Sequence, residues 1–124
     1  MLIEIPIPWR QKVADLLRKG TQGKEILLKG RPDVEWKALT LNPFAYSLFD
    51  ALRAILTRTG PLKGRVGPVM KEPGEVYEFA FKYQADHAVV QVYTKLNLTP
   101  TGKVVIIYSA HRPNFEDELT NEIN

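Results

Sequence analysis

Residues 75–83, EVYEFAFKY, alternate strictly, with Tyr77, Phe79, Phe81 and Tyr83 on one side and Val76, Glu78, Ala80 and Lys82 on the other. A period of two predicts a strand with one aromatic, core-facing side. Two further strands are predicted after it, HAVVQVYTKLNL over 87–98 and KVVIIYSAH over 103–111. The short QAD segment and then TPTG, with Pro100 and Gly102, turn each strand back on the one before. Pro113 has no N–H to donate to a ladder and ends the third strand. Upstream the period lengthens. In NPFAYSLFDALRAILTRTG, Phe44, Leu48, Leu52, Ile55 and Leu56 make one helical stripe, with Asn42 as N-cap, Pro43 in the first position and Gly60–Pro61 as the stop. Val13, Leu16 and Leu17 mark a shorter helix with Pro8 in its first turn and Gly20 as its stop. LIEIPI reads as a short edge strand and residues 25–29 as another, whereas VEWKALTL fits neither period. The predicted fold class is α+β: N-terminal helices packed on a small, mostly antiparallel sheet formed by the C-terminal half.

Four glycines and three prolines among residues 60–74 predict a long loop without regular structure. It is no Walker loop, because the GxxxxGK[ST] order is missing and no helix follows. The loop is also basic. Arg53, Arg58, Lys63, Arg65 and Lys71 follow one another with no acid between, and the net charge is +3. Such a block raises the local concentration of a polyanion, so these five residues are the expected nucleic-acid contacts. A solvated helix face followed by a loop would carry the same pattern. The tail, residues 114–124, holds Glu116, Asp117, Glu118 and Glu122 without a base, and is expected to be a short terminal helix or disordered.

At 124 residues, with 44% apolar and 25% charged, the chain has the size and balance of one folded domain, 1–124. No apolar run approaches the roughly 20 residues needed to cross a bilayer, so no membrane partner is expected. The start, MLIEIPIPWRQK, lacks a basic n-region and does not read as a signal peptide. There is no cysteine, which excludes disulfides, thiolate catalysis and cysteine-ligated zinc or iron–sulfur clusters. A reducing, cytoplasmic setting is compatible.

The last two predicted strands hold both histidines of the chain. Register decides what they meet, because a one-residue slip sends a strand's side chains to the opposite face. Matching the apolar sides pairs Leu98 with Val104 and Leu96 with Ile106 across a five-residue loop. The other face then sets Tyr93 beside Ser109, Gln91 beside His111 and Lys95 against Ile107. A four-residue loop would bury Ser109 and His111 with the core. In the first register imidazole, ammonium, phenol and hydroxyl share a surface, with Arg112 at the strand end and His87 at the start of the second strand. These are the groups wanted for metal-independent RNA cleavage: a base for the 2′-hydroxyl, an acid for the 5′-oxygen, and cations for the phosphorane. Histidine titrates in the useful range and tyrosine stacks on bases. Each residue has a plainer role available, as a solvated strand-end histidine, an outward lysine or a packing aromatic.

Other chemistries fit less well. There is no HxH, HExxH or acidic cluster to hold a metal, and no cofactor motif. The GxSxG elbow of a serine hydrolase is missing. Glu75, Glu78 and Asp86 read as ordinary exposed strand and turn positions, not as a glycosidase pair.

Helices followed by a small sheet ending in YTKLNL and GKVVIIYSAHRP resemble the barnase–EndoU–colicin–RelE group of RNase folds, over roughly the last fifty residues. The resemblance implies a metal-independent ribonuclease or toxin domain with dispersed Lys, Arg, His, Tyr, Ser or Thr on a concave sheet. It puts Lys95, Ser109, His111 and Arg112 where that group tends to carry catalytic residues. The expected function is a toxin-type endoribonuclease, with RNA as partner and an acidic antitoxin or immunity protein as a second. The alternatives are a non-catalytic nucleic-acid-binding module and a protein-interaction domain of a toxin–antitoxin or phage system.

Overall fold

The computed structural model describes residues 2–113 and 120–122. Along the chain come β1 (Ile3–Glu4), α1 (Ile7–Lys19), β2 (Ile26–Leu28), α2 (Pro32–Thr40), α3 (Ala45–Leu56), β3 (Lys63–Val66), β4 (Glu75–Gln84), β5 (Val89–Leu98), β6 (Val105–His111) and β7 (Thr120–Glu122). The strands form one sheet in the order β1-β3-β4-β5-β6-β2, with β7 beside β4. β2 runs parallel to β6 and β7 parallel to β4, while the remaining pairs are antiparallel. This is the expected α+β arrangement, with the helices on one face of the sheet.

The alternation of β4 builds the core. Phe79 and Phe81 are fully buried, and burying such a side chain contributes roughly 2–3 kcal/mol. Their flanking tyrosines meet tryptophans from the helices: Trp9 lies edge-on to Tyr77 with centroids 5.0 Å apart, and Trp36 lies 4.8 Å from Tyr83. From α3, Leu48, Leu52 and Ile55 are fully buried in the same cluster, as their stripe predicts.

The structure departs from the sequence reading in several places. VEWKALT is helical, within α2, and Leu41 caps it: Pro32 opens the helix, Asp33 and Glu35 suit its first turn, and buried Trp36 donates its indole N–H to Ser47 Oγ at 2.7 Å. Asn42 is not the N-cap of α3. That position is Phe44, and Asn42 Oδ1 instead accepts the Phe44 N–H at 3.0 Å. The basic loop of 60–74 contains β3, because Gly64 lets the strand lie tight on the core. A Cβ there would collide with the Glu78 carbonyl and stand 2.7 Å from Ile5 Cδ1. In the tail, Thr120–Glu122 is a strand on the β4 edge, neither helical nor disordered. The rest of the tail, 114–119 and 123–124, lies outside the described residues. A further departure, the pairing of β5 with β6, shapes the candidate site. No helix among the described residues is long and apolar enough to cross a membrane.

Candidate functional site

Near the turn, Leu98 pairs with Val105 and Leu96 with Ile107, one residue out from the expected register. Val105 and Ile107 are fully buried against the helices. If β6 continued its alternation from there, Ser109 and His111 would also point into the core. They do not, because the register shifts again between Leu96 and Lys95. Lys95 pairs with Ser109, Thr94 with Ala110 and Tyr93 with His111, so Tyr108 has no residue opposite it. One extra residue on one strand is a β-bulge, and it reverses the facing of everything beyond it. Ala110 and Thr94 are buried on the helix side, while Tyr93, Lys95, Ser109 and His111 emerge half-buried on the open face. The expected group of four therefore shares one face, through a different pairing. Tyr93 stands opposite His111, not Ser109, and Lys95 stands opposite Ser109, not Ile107.

The Tyr93 and His111 rings stack with centroids 5.1 Å apart and planes 29° from parallel. The imidazole Nδ1–H donates to the Arg112 carbonyl at 2.7 Å, which leaves the Nε2 lone pair for other partners when the ring is neutral. The Tyr93 hydroxyl donates to Glu78 Oε2, and Arg65 Nε donates to Oε1 of the same carboxylate. Burial first, then the hydrogen bond and charge of Glu78, push the Tyr93 phenol well above its usual range, with Arg65 opposing in part. Tyr93 therefore keeps its proton, and its ring lies against the imidazole. The Lys95 ammonium makes no ion pair or hydrogen bond among the described residues, although Glu78 is its cross-strand neighbour on β4.

No protein-family model, curated protein or solved structure matches this chain.

The remaining expected residues disperse. His87 is exposed in the turn between β4 and β5, six positions along from Tyr93 and so about 20 Å away at strand rise. Arg112 is exposed just past β6. Of the basic set, Lys63 and Arg65 alternate with inward Gly64 on β3, which places them on the open face. Arg53 lies on α3 in an ion pair with Asp50 at 3.4 Å, in the helical layer. Half-buried Arg58 reaches Asn121 Oδ1 of β7, and exposed Lys71 sits in the loop over 67–74. The five basic residues thus form no single surface.

Glu78 corrects another expectation. It is not an ordinary exposed position: its side chain is 12% exposed and joins Arg65 to Tyr93. Alternation in EVYEFAFKY and the short turn after it already place Glu78 across from Lys95, which was the available signal. A second cluster had no sequence signal. Asn97, fully buried on the open-face side, donates to the Tyr108 hydroxyl at 3.1 Å and to the Glu72 carbonyl at 3.2 Å. Tyr108 in turn donates to Glu72 Oε1 at 2.8 Å. Among the described residues no three of His, Cys, Asp and Glu lie close enough to hold a metal ion.

Proposed function

We propose that the open face of the sheet binds RNA and cleaves it by attack of the ribose 2′-hydroxyl. The observation that carries this reading is the bulged pairing, which sets the His111 imidazole and the Lys95 ammonium on one accessible face. Nε2 of His111, its Nδ1–H engaged by the Arg112 carbonyl, takes the 2′-hydroxyl proton. The 2′-oxygen bonds to phosphorus and the bond from phosphorus to the 5′-oxygen breaks. Water protonates that oxygen, and the imidazolium returns its proton to solvent. Lys95 and Arg112 bring positive charge to the phosphorane, the Ser109 hydroxyl donates to a non-bridging oxygen, and Tyr93 holds the imidazole plane. Arg65 and Lys63 lie two strands from Lys95, roughly 10 Å across the sheet, where a neighbouring phosphate of the same strand falls. A toxin-type ribonuclease acting on cytoplasmic RNA, with an acidic inhibitor covering this face, is the biological form of the proposal.

The test uses a DNA oligonucleotide carrying a single ribonucleotide, incubated with the protein in EDTA. The expected result is one cut, 3′ of the ribonucleotide, leaving a 2′,3′-cyclic phosphate and a 5′-hydroxyl. Binding without product would replace this reading with the non-catalytic nucleic-acid module. Absence of binding as well would remove both and leave the protein-interaction domain.

A further inference from the structure

We propose that Tyr108 is a positioning residue: its bonds to Glu72 and Asn97 hold the bulge that turns His111 and Ser109 outward. The functional half of this inference rests on the reading of the open face as an RNA-cleaving site; the structural half stands apart from it.

The bulge works against the sequence pattern around it. Val105 and Ile107 are buried, so unbroken alternation would carry Ser109 and His111 into the helix-packed core and Ala110 out of it. Tyr108 absorbs the mismatch by having no cross-strand partner. A bulged residue loses its place in the ladder, and its side chain must be held by something other than strand pairing. Here three bonds close a ring across two strands and a loop. Tyr108 donates to the Glu72 carboxylate, Asn97 donates to the Tyr108 hydroxyl, and the second Asn97 N–H reaches the Glu72 carbonyl.

Two further features serve the same geometry. Gly74 has φ +146°, and a Cβ there would collide with Asn97 Oδ1 and the Leu98 carbonyl, so only glycine lets the loop over 67–74 lie flat on this ring. Beyond the bulge, β6 has outrun β2, whose last pairing is Leu28 with Ile107. The freed Ala110 N–H donates instead to Glu35 Oε1 of α2 at 3.1 Å, which fixes the backbone between Ser109 and His111. Asn97 is fully buried and its Oδ1 finds no acceptor role among the described residues. A buried amide with an idle oxygen is a poor choice for stability alone, and an apolar residue would pack there more cheaply. The ring is better explained by what it aims than by what it stabilises.

Tyr108→Phe keeps the aromatic ring and removes two of the three bonds. In the wild-type protein an NMR cross-peak between the Tyr93 and His111 ring protons reports the stacked pair. Tyr108→Phe is expected to weaken that cross-peak and to lower kcat for RNA cleavage by roughly ten- to a hundredfold, with KM within about twofold, since a shift of about 1 Å at the reacting groups has that effect. Glu72→Ala is expected to match Tyr108→Phe. Glu72→Gln, whose amide oxygen still accepts from Tyr108, is expected to restore both readouts, and these loop variants serve if Tyr108→Phe does not fold. A cross-peak that survives intact in Tyr108→Phe and Glu72→Ala would overturn the positioning role, whatever happened to kcat. If the wild-type protein cleaves nothing, the functional reading fails alone and the cross-peak still decides the role of Tyr108.

Discussion

His111→Ala is expected to lower the single-turnover rate of RNA cleavage in EDTA by about a thousandfold, while leaving the unfolding midpoint nearly unchanged. A positioned acid or base contributes about 10²- to 10⁴-fold, so a thousandfold loss corresponds to about 4 kcal/mol of transition-state stabilisation. The fold should not notice. His111 is the last residue of β6, half-buried, and its ring touches Tyr93 and its own neighbour's carbonyl. Lys95→Ala is expected to lose less, because Arg112 remains to face the phosphate. His87→Ala, in the exposed turn, is expected to cleave like the wild type. Equal rates for the wild type and His111→Ala would end the proposed mechanism.

Arg10→Met is expected to be the most damaging change to stability, at about 3 kcal/mol. Arg10 on α1 is 5% exposed, and its guanidinium donates from Nε to the Leu56 carbonyl at 2.9 Å, from Nη1 to Gly60 at 3.0 Å and from Nη2 to Arg58 at 2.9 Å. Those carbonyls are the unsatisfied C-terminal end of α3 and the turn that leads into β3. The helix dipole also favours a cation there. Burial lowers the Arg10 pKa from its ordinary value, the nearby Arg58 charge adds to this, and Glu4 opposes it. Methionine fills the space of the stem but leaves three acceptors without a donor. Lysine cannot reproduce the fork, so Arg10→Lys should lose most of the same stability. Urea unfolding followed by tryptophan fluorescence measures it. A midpoint within error of the wild type for Arg10→Met would show that the clamp contributes nothing.

The parts of the fold that sequence alone makes legible are those set by a local period. The aromatic side of β4 and the stripe of α3 each repeat within a single segment, and each buries the side it predicts, except that Phe44 at the head of the stripe is the exposed N-cap. The bulge is different. VVIIYSAH reads as plain alternation, and nothing in it marks Tyr108 as the extra residue. What singles out Tyr108 lies 11 positions away at Asn97 and 36 away at Glu72. Arg10 has the same character, with acceptors 46 to 50 positions downstream. α2 escapes a periodic reading because Trp36 answers to Ser47 and Tyr83, not to its neighbours in sequence. The membership of the face was legible because both registers weighed for this hairpin keep Tyr93 and Lys95 together. That Ser109 and His111 join them depends on a residue without a partner, which no short-range rule supplies.

The pairing itself is open to one direct measurement, made clean by a chain without cysteine. Directly opposed residues of an antiparallel pair bring their Cβ atoms to about 4.5–5.5 Å, close enough for a disulfide with slight adjustment. The double variant Lys95→Cys with Ser109→Cys should oxidise readily and stay folded. Thr94→Cys with Ser109→Cys, the pair that a straight, unbulged continuation from Leu96–Ile107 would align, should remain reduced because residue 94 points into the core and residue 109 onto the open face. The reverse outcome, a bridge from 94 to 109 and none from 95 to 109, would contradict the shared face on which the site depends.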